Sequence, residues 1–213
     1  MYLPVVKDAT VPAIKAVALK VAIHGNDLSG GFTLIELLVV IAIVAVISTV
    51  VILTLNPAEL LKQSRDSNRM SDLSVLQKAI VLYQTDVPGG SISANSNCYV
   101  SIGSSPGANC GGWFTATHAT VVTSTSRAVD GTGWLPVNFS AITHSRVISS
   151  LPLDPENNTS YYYAYAASST NYSFEINANM ESTKYAQGGI ADVESKDGGS
   201  INSVYELGSN LTQ

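Results

Sequence analysis

Charge is scarce in this chain. Only 13% of its 213 residues are Asp, Glu, Lys or Arg, and the formal net charge is −5 at pH 7. No run or face rich in Lys and Arg is visible, which argues against nucleic acid as a partner. Cysteine is limited to Cys98 and Cys110, so there is no CxxC motif. With His118 as the nearest extra ligand, no fourth zinc ligand is evident. The three histidines, His24, His118 and His144, stand apart without metal-ligand spacing. No glycine-rich phosphate loop is present. Gly103-Ser104-Ser105-Pro106-Gly107 matches G-x-S-x-G on paper. A nucleophile elbow needs a strand before it and a helix after it, and Pro106 among Ser, Gly and Asn opposes the helix. No residue set for catalysis emerges, and the chain reads as a structural protein rather than an enzyme.

One long apolar run is present. From Phe32 to Leu55 the only charged residue is Glu36. A helix of that length spans roughly 36 Å, enough to cross a hydrocarbon core of about 30 Å. In lipid the backbone must satisfy its own hydrogen bonds, so a helix is predicted despite the many Val and Ile residues. A lone carboxylate in such a span is costly and normally has a partner and a task. A cut between Gly31 and Phe32 would create an α-amine four residues before Glu36, a natural counter-charge within one chain or between two.

Gly30-Gly31-Phe32-Thr33-Leu34-Ile35-Glu36, followed by this helix, resembles the N-terminus of type IV pilins and type II secretion pseudopilins. The resemblance implies that a prepilin peptidase cuts after Gly31 and that Phe32 is N-methylated. It implies that Glu36 helps dock each copy into a helical homo-oligomeric filament. It implies a cytoplasmic-membrane stage, with an inner-membrane assembly platform as a further partner, before an extracellular or periplasmic filament forms. The implied fold is α+β: a long N-terminal helix, its first half transmembrane, packed through its second half on a small antiparallel sheet. A minor pilin that acts as an adhesin is the alternative within the resemblance.

The expected organisation is a leader at 1–31, a transmembrane and assembly helix at 32–55, its amphipathic continuation at 56–86 and a head at 87–213. Removal of the leader leaves 182 residues, enough for one membrane helix and one domain. The leader is longer than is usual in the family, and Asp27 lies near the cut. Lys7, Lys15 and Lys20 favour a cytoplasmic N-terminus. Pro57 kinks or restarts the helix, with Asn56 as N-cap in the second case. Leu60, Leu61, Leu73, Leu76, Ile80 and Tyr83 recur at helical spacing and predict one apolar face. Lys62, Arg65, Asp66, Arg69 and Asp72 are expected on the other side, either solvated or bridging to a neighbouring copy.

Residues 91–135 read as an irregular insertion, with one strand between Thr115 and Thr125. Cys98 and Cys110 within it read as a disulfide of an oxidising compartment, with two unlinked thiols as the alternative. Phe139 to Leu151 reads as a short helix or a strand and loop. The sheet is expected at about 151–207. Leu151-Pro152-Leu153-Asp154-Pro155 is a rigid turn similar to the Leu-Pro-x-Asp-Pro segment of pseudopilins. Tyr161–Tyr165 and Tyr172–Asn177 predict a hairpin, with Tyr172, Phe174 and Ile176 facing the helix and Ser173, Glu175 and Asn177 facing water. A last strand is expected in 201–207. Asp192, Glu194 and Asp197 in a Gly-rich loop are the one ligand-like cluster, suited to a structural calcium ion or to a plain acidic loop.

Overall fold

The computed structural model describes residues 31–93, 96–143 and 147–213. The expected leader and His24 precede them, and His144 also lies outside them. The chain divides into two compact units, residues 1–47 and 48–213.

Helix α1 runs Leu34–Leu55. It begins at a capping box that the sequence carries as Thr33-x-x-Glu36: the Glu36 N–H donates to Thr33 Oγ1 at 3.3 Å, and Thr33 N–H donates back to Glu36 Oε2 at 2.9 Å. Every described side chain of α1 is exposed. Leu34–Ile52 is long and apolar enough to cross a membrane.

Helix α2 runs Pro57–Asp86. The junction is a restart rather than a kink. Asn56 sits in the left-handed region at φ 40°, which Asn tolerates better than most residues. Its side chain accepts from Glu59 N–H at 3.4 Å, and Pro57 opens the new helix, where its missing N–H costs nothing. The helix ends where Val87 N–H donates to Tyr83 O. A Cβ at Gly90 would lie 2.5 Å from the Tyr83 hydroxyl oxygen, so a larger residue in the turn after α2 would have to push the Tyr83 ring aside.

Five strands form one sheet: β1 (Asn97–Val100), β2 (Thr120–Thr123), β3 (Tyr163–Ser168), β4 (Ser173–Ala178) and β5 (Tyr205–Gly208). Their order is β2-β1-β3-β4-β5, with β1 and β2 parallel and the other pairs antiparallel. The hairpin expected from the tyrosine-rich segments is β3–β4, in which Tyr165 faces Ile176 and Ala167 faces Phe174. Two expectations are corrected. Residues 91–135 are no mere insertion, because they contribute β1 and β2, and β1 pairs directly with β3. The segment from Phe139 to Leu151 holds only the single 3-10 turn Phe139–Ala141 among its described residues.

The sheet is buried on both faces. On one, Leu73, Leu76, Ile80 and Tyr83 of α2 pack with Tyr163, Tyr165, Phe174 and Ile176, and with Trp134 from the loops. On the other, Cys98, Val100, Cys110, Phe114, Tyr162 and Ala164 form a second core. Here the Trp113 and Tyr162 rings stack 4.0 Å apart. The Cys98–Cys110 disulfide is formed and ties β1 to the segment that covers this face. That cover also corrects the expected water-facing row: Ser173, Glu175 and Asn177 are buried, and Tyr172 is exposed. Asn177 Nδ2 donates to Trp113 O, so the cover takes up part of their hydrogen bonding. Leu60 and Leu61 are exposed as well, because the buried stripe of α2 begins only at Asp66.

Candidate functional site

The described part of the N-terminal motif is Gly31–Thr33 followed by the apolar helix α1. Phe32 is 85% exposed. A Cβ built on Gly31 meets nothing within 4 Å, so among the described residues there is space for a side chain at that position. Glu36 is the single charge of α1, and its Oε2 also accepts from Thr33 Oγ1 at 2.8 Å. Thr33 therefore supplies both of the hydrogen bonds on that oxygen. The capping-box spacing was available in the sequence as the signal for it. Phe32, Ile35, Val39 and Val40 line a shallow apolar groove beside the carboxylate. A helix that is apolar on every side and whose described side chains are all exposed calls for a cover of lipid or of other helices. An acidic group set at its first turn marks where a counter-charge would sit.

Residues 28–52 match the model of the prokaryotic N-terminal methylation motif. This match is to a prepilin-type N-terminal motif and supports a likeness to the type IV pilin and pseudopilin family. No curated protein and no solved structure matches it. The motif spans the expected cut after Gly31, Phe32 and Glu36, and it ends inside α1.

In the unit of residues 48–213, the charges expected on the outer side of α2 do something else. Asp66 and Arg69 are wholly buried. Arg69 grips Asp154 through two hydrogen bonds, Nε to Oδ2 at 2.6 Å and Nη2 to Oδ1 at 2.9 Å, and its Nη1 donates to Asp66 Oδ1 at 2.7 Å. Asp66 accepts in turn from the N–H groups of Glu181 and Ser182 at 2.9 and 2.8 Å. Arg65 pairs with Glu181 and Glu156. Burial alone would loosen the Arg69 proton, but Asp154 and Asp66 outweigh it and hold the guanidinium charged. Asp72, also expected on the solvated side, accepts from the Tyr163 hydroxyl at 2.8 Å. The network joins α2 to the Leu151–Pro155 turn and to the loop after β4.

The three carboxylates read as a candidate calcium set bind main-chain groups. Asp192 accepts from Gly188 and Ser195 N–H, Glu194 from Met180 and Gln187 N–H, and Asp197 from Gly199 and Glu206 N–H. The Ser195 hydroxyl, foremost, with these N–H groups holds Asp192 down at about 2. Among the described residues no three His, Cys, Asp or Glu side chains are gathered to hold a metal ion. Ser105, centre of the G-x-S-x-G match, is exposed in irregular backbone and accepts from Gly107 N–H.

Proposed function

We propose that this chain is a structural subunit of a type IV pilus or a type II secretion pseudopilus. It enters the cytoplasmic membrane through α1, is cut between Gly31 and Phe32 by a prepilin peptidase, is methylated on Phe32, and polymerises with identical copies. The observation that carries this reading is the pairing of the methylation motif with a fully exposed apolar helix bearing one carboxylate. Covering about twenty such side chains, at about 1.5–3 kcal/mol each, exceeds the stability of a typical domain. That gradient holds α1 in lipid until other helices replace the lipid. The cut leaves an ammonium at Phe32, one residue before the Thr33 groups that hold Glu36. When copies stack, the ammonium of one meets the carboxylate of another and neither charge stays alone in an apolar surround. The disulfide suits a head that works in an oxidising compartment.

Mass spectrometry of the mature N-terminus tests this. A chain that starts at methylated Phe32 is expected, and Gly31→Ser should leave the leader attached. An intact leader on the native chain in cells that contain an active prepilin peptidase would overturn the reading.

A further inference from the structure

Two stretches of the head line a cavity of about 500 Å³. Ala116, Thr117 and His118 come from the segment that leads into β2, and Ser168, Ser169 and Thr170 from the end of β3 and its turn. Gln213 joins them. Ligand pockets run from about 300 to 1,000 Å³. The lining is tied in place by the chain itself. Ala116 N–H donates to Gln213 O at 2.8 Å, His118 N–H to Asn109 Oδ1 at 3.0 Å and Ala119 N–H to Ser96 O at 2.9 Å. Gln213 in turn donates through its N–H to Glu175 Oε2 at 3.0 Å and through Nε2 to Ser173 Oγ at 2.8 Å. A site built this way has little freedom left to lose on binding.

Among the lining side chains only His118 is titratable. Burial above all holds its ring below the usual range, while the Ser96 main chain pulls the other way. That pull falls short of a hydrogen bond: both ring nitrogens are shielded from solvent, and neither has a partner among the described residues. Buried polar atoms are normally paired. The ring itself packs edge to face with Phe114, centroids 5.2 Å apart. Thr117, Ser169 and Thr170 are exposed, and their hydroxyls are without a partner among the described residues. A charged ligand would give up hydration here without meeting an opposite charge on the lining side chains. A purely apolar one would strand the hydroxyls. The lining suits a neutral ligand with many hydroxyls of its own.

We propose that this cavity binds a neutral mono- or disaccharide. Thr117, Ser169 and Thr170 exchange hydrogen bonds with the sugar hydroxyls, and the His118 ring turns to bring one nitrogen onto a further hydroxyl. A neutral imidazole suits that partner, because one nitrogen donates and the other accepts while a hydroxyl can do either. Ala116 and Ala167 are the small residues that leave the room. The site stands on the head alone and does not depend on the filament reading.

Amide chemical shifts of the full chain in phosphocholine micelles, which carry no sugar headgroup, test this with glucose, galactose, mannose, N-acetylglucosamine and lactose. At least one of these should shift Ala116, Thr117, His118, Ser169 and Thr170 saturably at millimolar concentration, while Leu76 and Ile80 stay still. Ala116→Tyr keeps the main-chain tie to Gln213 and fills the cavity, so it should abolish the shifts. Thr170→Ala should weaken binding about threefold, and His118→Phe, which keeps the packing on Phe114, by a similar factor. No saturable shift with any of these sugars, unchanged binding in folded Ala116→Tyr, or equal shifts with sodium sulfate would overturn the proposal. If Ala116→Tyr does not fold, unchanged binding in Thr170→Ala, an exposed turn residue, overturns it as well.

Discussion

The two helices that open the described chain treat charge in opposite ways. Helix α1 carries one carboxylate on a rod whose described side chains are all exposed, and among the described residues that carboxylate is bonded by Thr33. Helix α2 carries many charges and buries two of them completely, but Arg69 and Asp66 are matched within the same chain by Asp154 and by main-chain donors. The first charge is left open for something outside the chain, and the second set is closed. A buried ion pair is weak evidence for net stability, yet breaking one is severe, because the partner is stranded. In the proposed filament, the exposed charge of α1 would act between molecules rather than within its own domain.

Glu36→Val breaks the comparison at its open end. Filaments seen by electron microscopy should be lost or nearly so, while membrane insertion, cleavage and the thermal unfolding of the head are unchanged. Normal filament numbers would refute this. Arg69→Met breaks the closed end, leaving Asp66 and Asp154 buried without their cation. Urea unfolding should show a loss of about 3–5 kcal/mol. Adding Asp66→Asn and Asp154→Asn to Arg69→Met should restore part of it, since no unpaired charge then remains inside.

Much of α1 was legible because its information is local. Six contiguous residues and an uninterrupted apolar run need no distant partner to be read. The tyrosine-rich hairpin was legible for the same reason, since alternation along each strand is written in neighbouring residues. The closed charges were not. Periodicity places Asp66 and Arg69 on a face of α2, but Asp154 and Glu181, which turn that face inward, are 85 and 112 residues away from Arg69. Glu175 and Asn177 were misread because alternation says which side a residue points to, not whether that side is covered. The cover is the stretch around Cys110 and Trp113, whose Ser-, Gly- and Asn-rich composition reads as a loop. Strand β1 was missed because it is four residues long and sits in that same composition.

Two smaller effects sharpen the contrast. Replacing both Cys98 and Cys110 with Ser should cost the head about 3 kcal/mol by the chain-entropy argument, read from urea unfolding with and without reductant. Filament assembly from the surviving folded fraction should persist, because the disulfide lies in the head and not on α1. On α2 itself, Leu76→Ala should cost about 2–5 kcal/mol, whereas Leu60→Ala should cost less than about 0.5 kcal/mol. Leu60 is half exposed and Leu76 is fully enclosed. Equal losses at the two sites would mean that the start of α2 is covered after all.

The span between Arg69 and its partners also sets a timetable. A ribosome finishes α2 long before it reaches Asp154, and Glu181 comes later still. Until then the guanidinium must stay hydrated, so the helix cannot seat on a sheet that is itself unfinished. The nascent head is obliged to wait, unsettled, until nearly its whole length has been made, while the greasy segment that precedes it is already complete and free to find a bilayer.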